Sequence, residues 1–210
     1  MRQKKKLCLG IDTTFNTLSV ALLDTERHSA YVCQEMLRGQ GEILISFIQN
    51  VLSKLKKTPA DLTHIAVTIG PGSFTGVRIG LATARGLGLA LKIPVIGIDN
   101  FTATSFCHKN QLPHKVILDS KRDDYFIQDF DKQGHKKGKS YICSAQQLAT
   151  KLPFTACGNG ATKLATSIHC KLASPATIPL ALAAAQIALT LPKLTTSAHP
   201  LYLREADVTV

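Results

Sequence analysis

The chain has 210 residues, 45% of them hydrophobic, with a formal net charge of +11, which is enough for one good core or two modest lobes of roughly 100 residues each. Its longest apolar run, Leu180 to Leu191, is interrupted by Gln186 and closed by Pro192, short of the about 20 residues a bilayer crossing needs. The apolar stretch after the basic Met1–Lys6 ends at Asp12, too short for an export signal, so a cytoplasmic globular protein without a membrane span is expected.

Residues 5–11 and 18–23 are apolar strand segments, and the Asp, Asn and Thr residues of 12–17 between them suit a turn, so a β-hairpin opens the fold. A third strand is expected near 28–37. Gly41 leads into a segment whose Leu44, Phe47, Ile48, Val51 and Leu55 recur at helical spacing, and Ile43, Ile45 and Leu52 widen its apolar arc to about half the circumference. That predicts a helix over 42–57 with two surfaces to pack against. His64–Ile69 is a strand, 70–76 a turn, 75–91 a helix and Pro94–Ile98 another strand, which together describe an α/β layer with helices on a mixed sheet.

After a short helix from about 101, the pattern repeats. Val116–Asp119 and Tyr125–Phe130 form a second hairpin across the charged turn 120–124, followed by a weak strand at 140–143, a short helix from Ala145, a turn at Gly158-Asn159-Gly160, a helix over 178–191 and the tail Pro200–Arg204. Two segments that each open with a hairpin imply a duplicated architecture, with lobes at 1–100 and 101–210.

Candidate chemistry is sparse. The six cysteines form no C-x-x-C, and the seven histidines no H-x-x-x-H or H-E-x-x-H pair, so neither a disulfide framework nor a metal site is expected. No G-x-S-x-G elbow is present. The turn Gly70-Pro-Gly-Ser-Phe-Thr-Gly76 matches neither a Walker A loop nor the dinucleotide fingerprint. Two readings of it stay open: a tight turn N-capped by Ser73 or Thr75, or an anion site at a helix start with Arg78 one turn inside. Asp12, followed by Thr13 and Thr14 where a phosphate-binding turn favours glycine, belongs to the same candidate vestigial nucleotide or anion site. Gly158–Ala161 reads as a turn or as the remnant of an adenosine-binding turn.

The helix over 75–91 carries Gly76, Gly80, Ala84 and Gly88 every four residues, at a propensity cost of nearly 1 kcal/mol per exposed helical glycine. Two readings stay open: a helix that packs on its own sheet on one side and lets a partner helix approach this strip on the other, which the sequence favours, or an ordinary central helix of the core; Arg78 and Arg85 form a thin polar edge in either. The expected partner surface is Leu44, Ile45, Ile48, Leu52, Gly76, Gly80, Ala84, Leu87 and Gly88. The positive charge favours an acidic partner, nucleic acid or protein, although its two short clusters, Lys4-Lys5-Lys6 and Lys132, Lys136, Lys137, Lys139, read as solvated loops.

Taken in order, Leu9-Gly-Ile-Asp-Thr-Thr14, Ser19-Val-Ala-Leu22, Gly70-Pro-Gly-Ser-Phe-Thr-Gly-Val-Arg-Ile-Gly80, Pro94-Val-Ile-Gly97 and Pro200-Leu-Tyr-Leu-Arg204 resemble the TsaB family, also called YeaZ, over nearly the whole chain. The resemblance implies a two-lobed actin-like, sugar-kinase-like (ASKHA) fold with a reduced second lobe. It also implies a non-catalytic role in putting threonylcarbamoyl on the adenosine next to the anticodon of tRNAs that read codons beginning with adenine. Implied partners are a TsaD-like catalytic subunit, met through the first two helices, here 42–57 and 75–91, and a TsaE-like ATPase, with a homodimer when the chain is alone. The paired metal-binding histidines of TsaD-like chains have no counterpart in Arg38–Leu44, so no metal and no cofactor are implied. The charge of +11 leaves a direct tRNA contact open. The alternatives are a metalloprotease-like (glycoprotease) enzyme, which needs ligands the sequence lacks; a stand-alone actin-fold ATPase, which needs phosphate-loop glycines; and a simple basic RNA-binding protein, which lacks a recognition motif.

Overall fold

The computed structural model describes residues 5–191 and 198–204, so Lys4 of the first lysine cluster and Pro192 lie outside the described residues. Ten strands and six α-helices fall into two compact units, one of residues 1–100 with 178–201, the other of 101–177 with 202–210. The first unit runs β1 (Leu7–Asp12), β2 (Thr17–Asp24), β3 (Ser29–Glu35), α1 (Gln40–Lys54), β4 (His64–Thr68), α2 (Phe74–Leu91) and β5 (Val95–Ile98). Its sheet has the order β3-β2-β1-β4-β5, antiparallel through the hairpin and parallel from β1 to β4 to β5. β1 and β4 are buried along their full lengths, which is why both read as continuous apolar runs instead of alternating ones.

The second unit repeats the plan. β6 (His114–Asp119), β7 (Asp124–Phe130), β8 (Lys136–Ser144), α4 (Ala145–Ala149), β9 (Thr155–Cys157), α5 (Ala161–Ala165) and β10 (Lys171–Leu172) follow α3 (Asn100–Cys107), which straddles the boundary between the units. The sheet order β8-β7-β6-β9-β10 matches the first sheet strand for strand, with the same antiparallel and parallel pairings. The duplication expected from the two hairpins is therefore real. The reduction shows in β9 and β10, of 3 and 2 residues, and in the five-residue α4 and α5.

Two boundaries differ from the sequence reading. The chain does not stay in the second unit after residue 101: α6 (Leu180–Thr190) lies against β1, β2 and β4 in the first. The physical reason is an exact steric fit, because a Cβ on Gly10 of β1 would stand 2.0 Å from the Ala181 carbonyl oxygen, and the alanine-rich helix, with seven buried residues, is narrow enough to reach the sheet. The weak strand at 140–143 is a nine-residue edge strand starting at Lys136, so lysines read as a solvated loop belong in part to a β-ladder. They escape strand periodicity because the ladder is irregular there, between Ile127 and Asp129 of β7.

Candidate functional site

The first candidate site sits where β1 ends. Asp12 is buried, and its Oδ1 accepts from the Thr14 amide at 3.2 Å, the Thr14 hydroxyl at 2.6 Å and the Thr68 hydroxyl at 2.6 Å. Asn100 donates from Nδ2 to Thr14 Oγ1 at 2.7 Å and to the Pro71 carbonyl at 2.9 Å, while its own amide donates to the Gly70 carbonyl. Burial pushes the Asp12 carboxyl above the usual carboxylate range, with the Thr14 and Thr68 hydrogen bonds opposing. Asp12 Oδ2 and Asn100 Oδ1 are buried without a hydrogen-bond partner among the described residues. Asp12 and Asn100 thus form a buried hydrogen-bonded strut that ties the end of β1 to β4, the turn 70–76 and the start of α3.

The turn 70–76 owes its composition to this neighbour. A Cβ on Gly72 would stand 2.5 Å from the Thr14 carbonyl oxygen and one on Gly76 2.1 Å from that of Thr13, so only glycine lets the loop lie against the first hairpin turn. Ser73 N donates to Thr14 O at 2.7 Å, Thr13 Oγ1 donates to Gly76 O at 2.6 Å, and Ser73 Oγ caps α2 by accepting from Gly76 N. Of the two cap candidates Ser73 fills the role. Thr75 and Arg78 are exposed, and the Arg78 guanidinium lies 3.7 Å from the Phe74 ring centroid. The expected anion group is thus split: Asp12, Thr13, Thr14 and Ser73 come together, Thr75 and Arg78 turn outward. Thr68 and Asn100 went unnoticed in the sequence. Their signal was a polar residue closing the apolar strand β4 and another opening α3 two residues after β5.

The second candidate site, the partner surface on α1 and α2, needs a larger correction. Gly76, Gly80, Ala84 and Gly88 are buried inside the first unit. A Cβ on Gly80 would meet Thr13 Oγ1 at 2.6 Å and one on Gly88 would meet Val95 Cγ2 at 2.4 Å. The strip lets α2 settle on its own sheet, because strands β1, β4 and β5 lie closer to the helix axis than ordinary side chains permit. Leu44, Ile48 and Leu52 are likewise core residues, and Leu87 is half-buried. Of the nine, only Ile45 is exposed, at 49%. The solvent face of α2 holds Phe74 (37% exposed) and Leu89 (83%), with exposed Ala82, Gly86 and Ala90 at four-residue spacing, and a Cβ on Gly86 meets nothing within 4 Å. α1 lies alongside, Gly41 facing Ile79. Arg85 is exposed, as the expected polar edge requires, and its Nη2 also donates to the Ala198 carbonyl at 2.5 Å, tying residue 198 to α2.

In the second unit, the turn 158–160 braces β6 as 70–76 braces β1. Gly160 N donates to Ile117 O at 3.0 Å, Asn159 Oδ1 accepts from Asp119 N, and a Cβ on Gly158 would stand 2.5 Å from Ile117 O. In the charged turn 119–124, Lys121 N donates to Asp119 Oδ1 and Ser120 Oγ to Asp124, while Lys163 and Arg204 reach in to Asp119 and Asp124. Among the described residues one trio of metal-type side chains lies together, Asp24, Glu26 and His28. Asp24 there accepts from the Glu26 and His28 amides and pairs with the His28 ring, which is the bonding of a tight hairpin loop.

Two duplicated sheets with a glycine turn under the first strand of each define a two-lobed actin-like, sugar-kinase-like protein. A family model described as "TsaD: tRNA N6-adenosine threonylcarbamoyltransferase" matches residues 33–194. Within that broad class the chain belongs to the TsaB (YeaZ) family. It is 30% identical over 182 residues to the tRNA threonylcarbamoyladenosine biosynthesis protein TsaB of Buchnera aphidicola subsp. Baizongia pistaciae, covering 80% of this chain and 81% of that one. It is 36% identical over 97 residues to the TsaB of Buchnera aphidicola subsp. Schizaphis graminum, a match spanning 46% of this chain and 45% of that relative's length. The fold is that of YeaZ from Pseudomonas aeruginosa, with a TM-score of 0.76 at 22% identity over 94% of this chain and 100% of that one.

Proposed function

We propose that this chain is a non-catalytic subunit of the machinery that forms N6-threonylcarbamoyladenosine in tRNAs reading codons that begin with adenine. In this reading it acts in the cytoplasm by binding and supporting a TsaD-like catalytic subunit together with a TsaE-like ATPase. The family membership and the role of the relatives as threonylcarbamoyladenosine biosynthesis proteins support the pathway. The observation that carries the partner is the outer face of α1 and α2, where Leu89, Ile45 and Phe74 stand exposed beside Ala82, Gly86 and Ala90. A row of small residues flanked by large apolar ones lets a second helix come close and bury them. Without the catalytic subunit the same face joins two copies of the chain.

The test has two arms. Nucleoside mass spectrometry of tRNA from depleted cells is expected to show loss of threonylcarbamoyladenosine, and a normal level removes the reading. In purified protein, Gly86→Leu inserts a side chain where nothing now lies within 4 Å, so the free chain is expected to melt no lower than wild type. Binding to the catalytic subunit is expected to weaken roughly tenfold to a hundredfold, from an overpacking cost of about 1 to 3 kcal/mol. Wild-type affinity in that variant would place the interface elsewhere.

A further inference from the structure

We infer that the free edge of the second sheet, strand β8 with the turn before it, is a binding surface for the phosphate backbone of RNA. β8 is the outermost strand. Between the pairs Ile127↔Tyr141 and Asp129↔Lys137, β7 advances by two residues and β8 by four, so residues 138–140 bulge from the ladder opposite Gln128. The bulge is built, not slack. The Gln128 carboxamide is buried, and its Nε2 donates to the carbonyls of Asp129 at 3.1 Å, Lys137 at 3.4 Å and Gly138 at 3.3 Å, while Gly138 supplies the left-handed φ of +71° that the bend needs.

This edge presents Lys132, Lys137 and Lys139 in exposed positions. The nearby carboxylates are already engaged. Asp129 is bound by Lys115, and Asp131 Oδ1 accepts from the amides of Gln133 and His135 at 2.9 Å each. Among the described residues no carboxylate pairs with Lys132, Lys137 or Lys139. Residues 101–177 carry 11 Lys and Arg against 5 Asp and Glu, a surplus of 6 that is densest here.

Lysines also serve on edge strands to prevent sheet-to-sheet pairing, but a bulge with a single charge already does that. Several unneutralised charges on one bulged edge repel each other, a cost that a polyanion removes and an aqueous edge does not. Flexible point charges without a bidentate fork suit a phosphate backbone read for shape and position, with no sequence information. Choosing tRNA as the RNA rests on the proposed function; the basic edge itself does not.

The test is fluorescence anisotropy of an unmodified tRNA transcript with the full chain between 50 and 200 mM salt. K132Q/K137Q/K139Q is expected to weaken binding about tenfold or more at 100 mM salt and to reduce the slope of log affinity against log salt by roughly 2 to 3, the value for three lost phosphate contacts. K54Q/K56Q/K57Q, which removes equal charge from the first unit, is expected to leave both quantities near wild type. Absence of tRNA binding by the wild type, or equal losses in the two triple variants, overturns the inference. So does a first triple variant that keeps tRNA but loses an acidic protein partner. Affinity of the same variant for the catalytic subunit reports separately on the proposed function.

Discussion

Gly76 and Gly86 lie on one helix ten residues apart, and replacing each with alanine has opposite expected effects. At Gly76 the new Cβ arrives 2.1 Å from the Thr13 carbonyl oxygen, a backbone atom fixed by the turn after β1. Ordinary contact begins near 3.4 Å, so more than an ångström must be recovered by moving a helix off its sheet. Overpacking of this kind costs about 1 to 3 kcal/mol, and for a chain of this length each kcal/mol is about 2 to 4 °C in melting temperature. Gly76→Ala is therefore expected to melt roughly 2 to 12 °C early. At Gly86 the Cβ enters open space, and the helix gains about 1 kcal/mol of propensity, or about 2 to 4 °C upward. Thermal unfolding followed by circular dichroism on both variants decides. A Gly76→Ala chain that melts with the wild type, or a Gly86→Ala chain that melts early, would mean that the faces of α2 have been assigned the wrong way round.

Asp12→Asn is expected to stabilise the chain increasingly as pH rises. The folded carboxyl is held above its unfolded value, so the wild type has its full stability below about pH 4 and loses it as pH climbs towards the folded pKa; a gap between variant and wild-type melting temperatures that stays constant from pH 4 to pH 8 would refute this. Arg204→Ala tests the opposite sign. Burial raises the Asp124 pKa, but hydrogen bonds from Ser120 and Arg204 outweigh it and hold the carboxyl below the usual range, so the arginine contributes about 1 kcal/mol near neutral pH that disappears as pH falls through the carboxylate range. Unfolding in urea at pH 7 and pH 3 is expected to show a smaller deficit at the lower pH.

Much of the fold was legible because buried strands and amphipathic helices write their burial into spacing. β1, β2, β4 and both hairpins were found within a residue or two, and the second hairpin announced the duplicated sheet. The short β9 and β10 carried too few residues for any period to show. The four-residue strip of α2 was visible too, but spacing cannot say which body a bare helix face approaches. The strip met β1, β4 and β5 of its own chain, and the true solvent face, Ala82, Gly86 and Ala90, has the same period shifted by two residues. Asp12, Thr13, Thr14 and Ser73 lie together in the structure, with Thr75 and Arg78 exposed. Their chemistry was not legible, because it depends on Thr68 and Asn100 arriving from the end of β4 and the start of α3.

The return of α6 to the first unit sets the order in which this protein can be made. Residues 180–190 pack against β1, β2 and β4, while the described β-strands of the second unit are complete by Leu172. At a translation rate of about 5 to 20 residues per second, the first sheet waits roughly 5 to 18 seconds after β5 emerges before its cover is synthesised. The half that begins first is thus finished last, and through that interval its nascent sheet depends on the ribosome or a chaperone for the protection that a strip of alanines later provides.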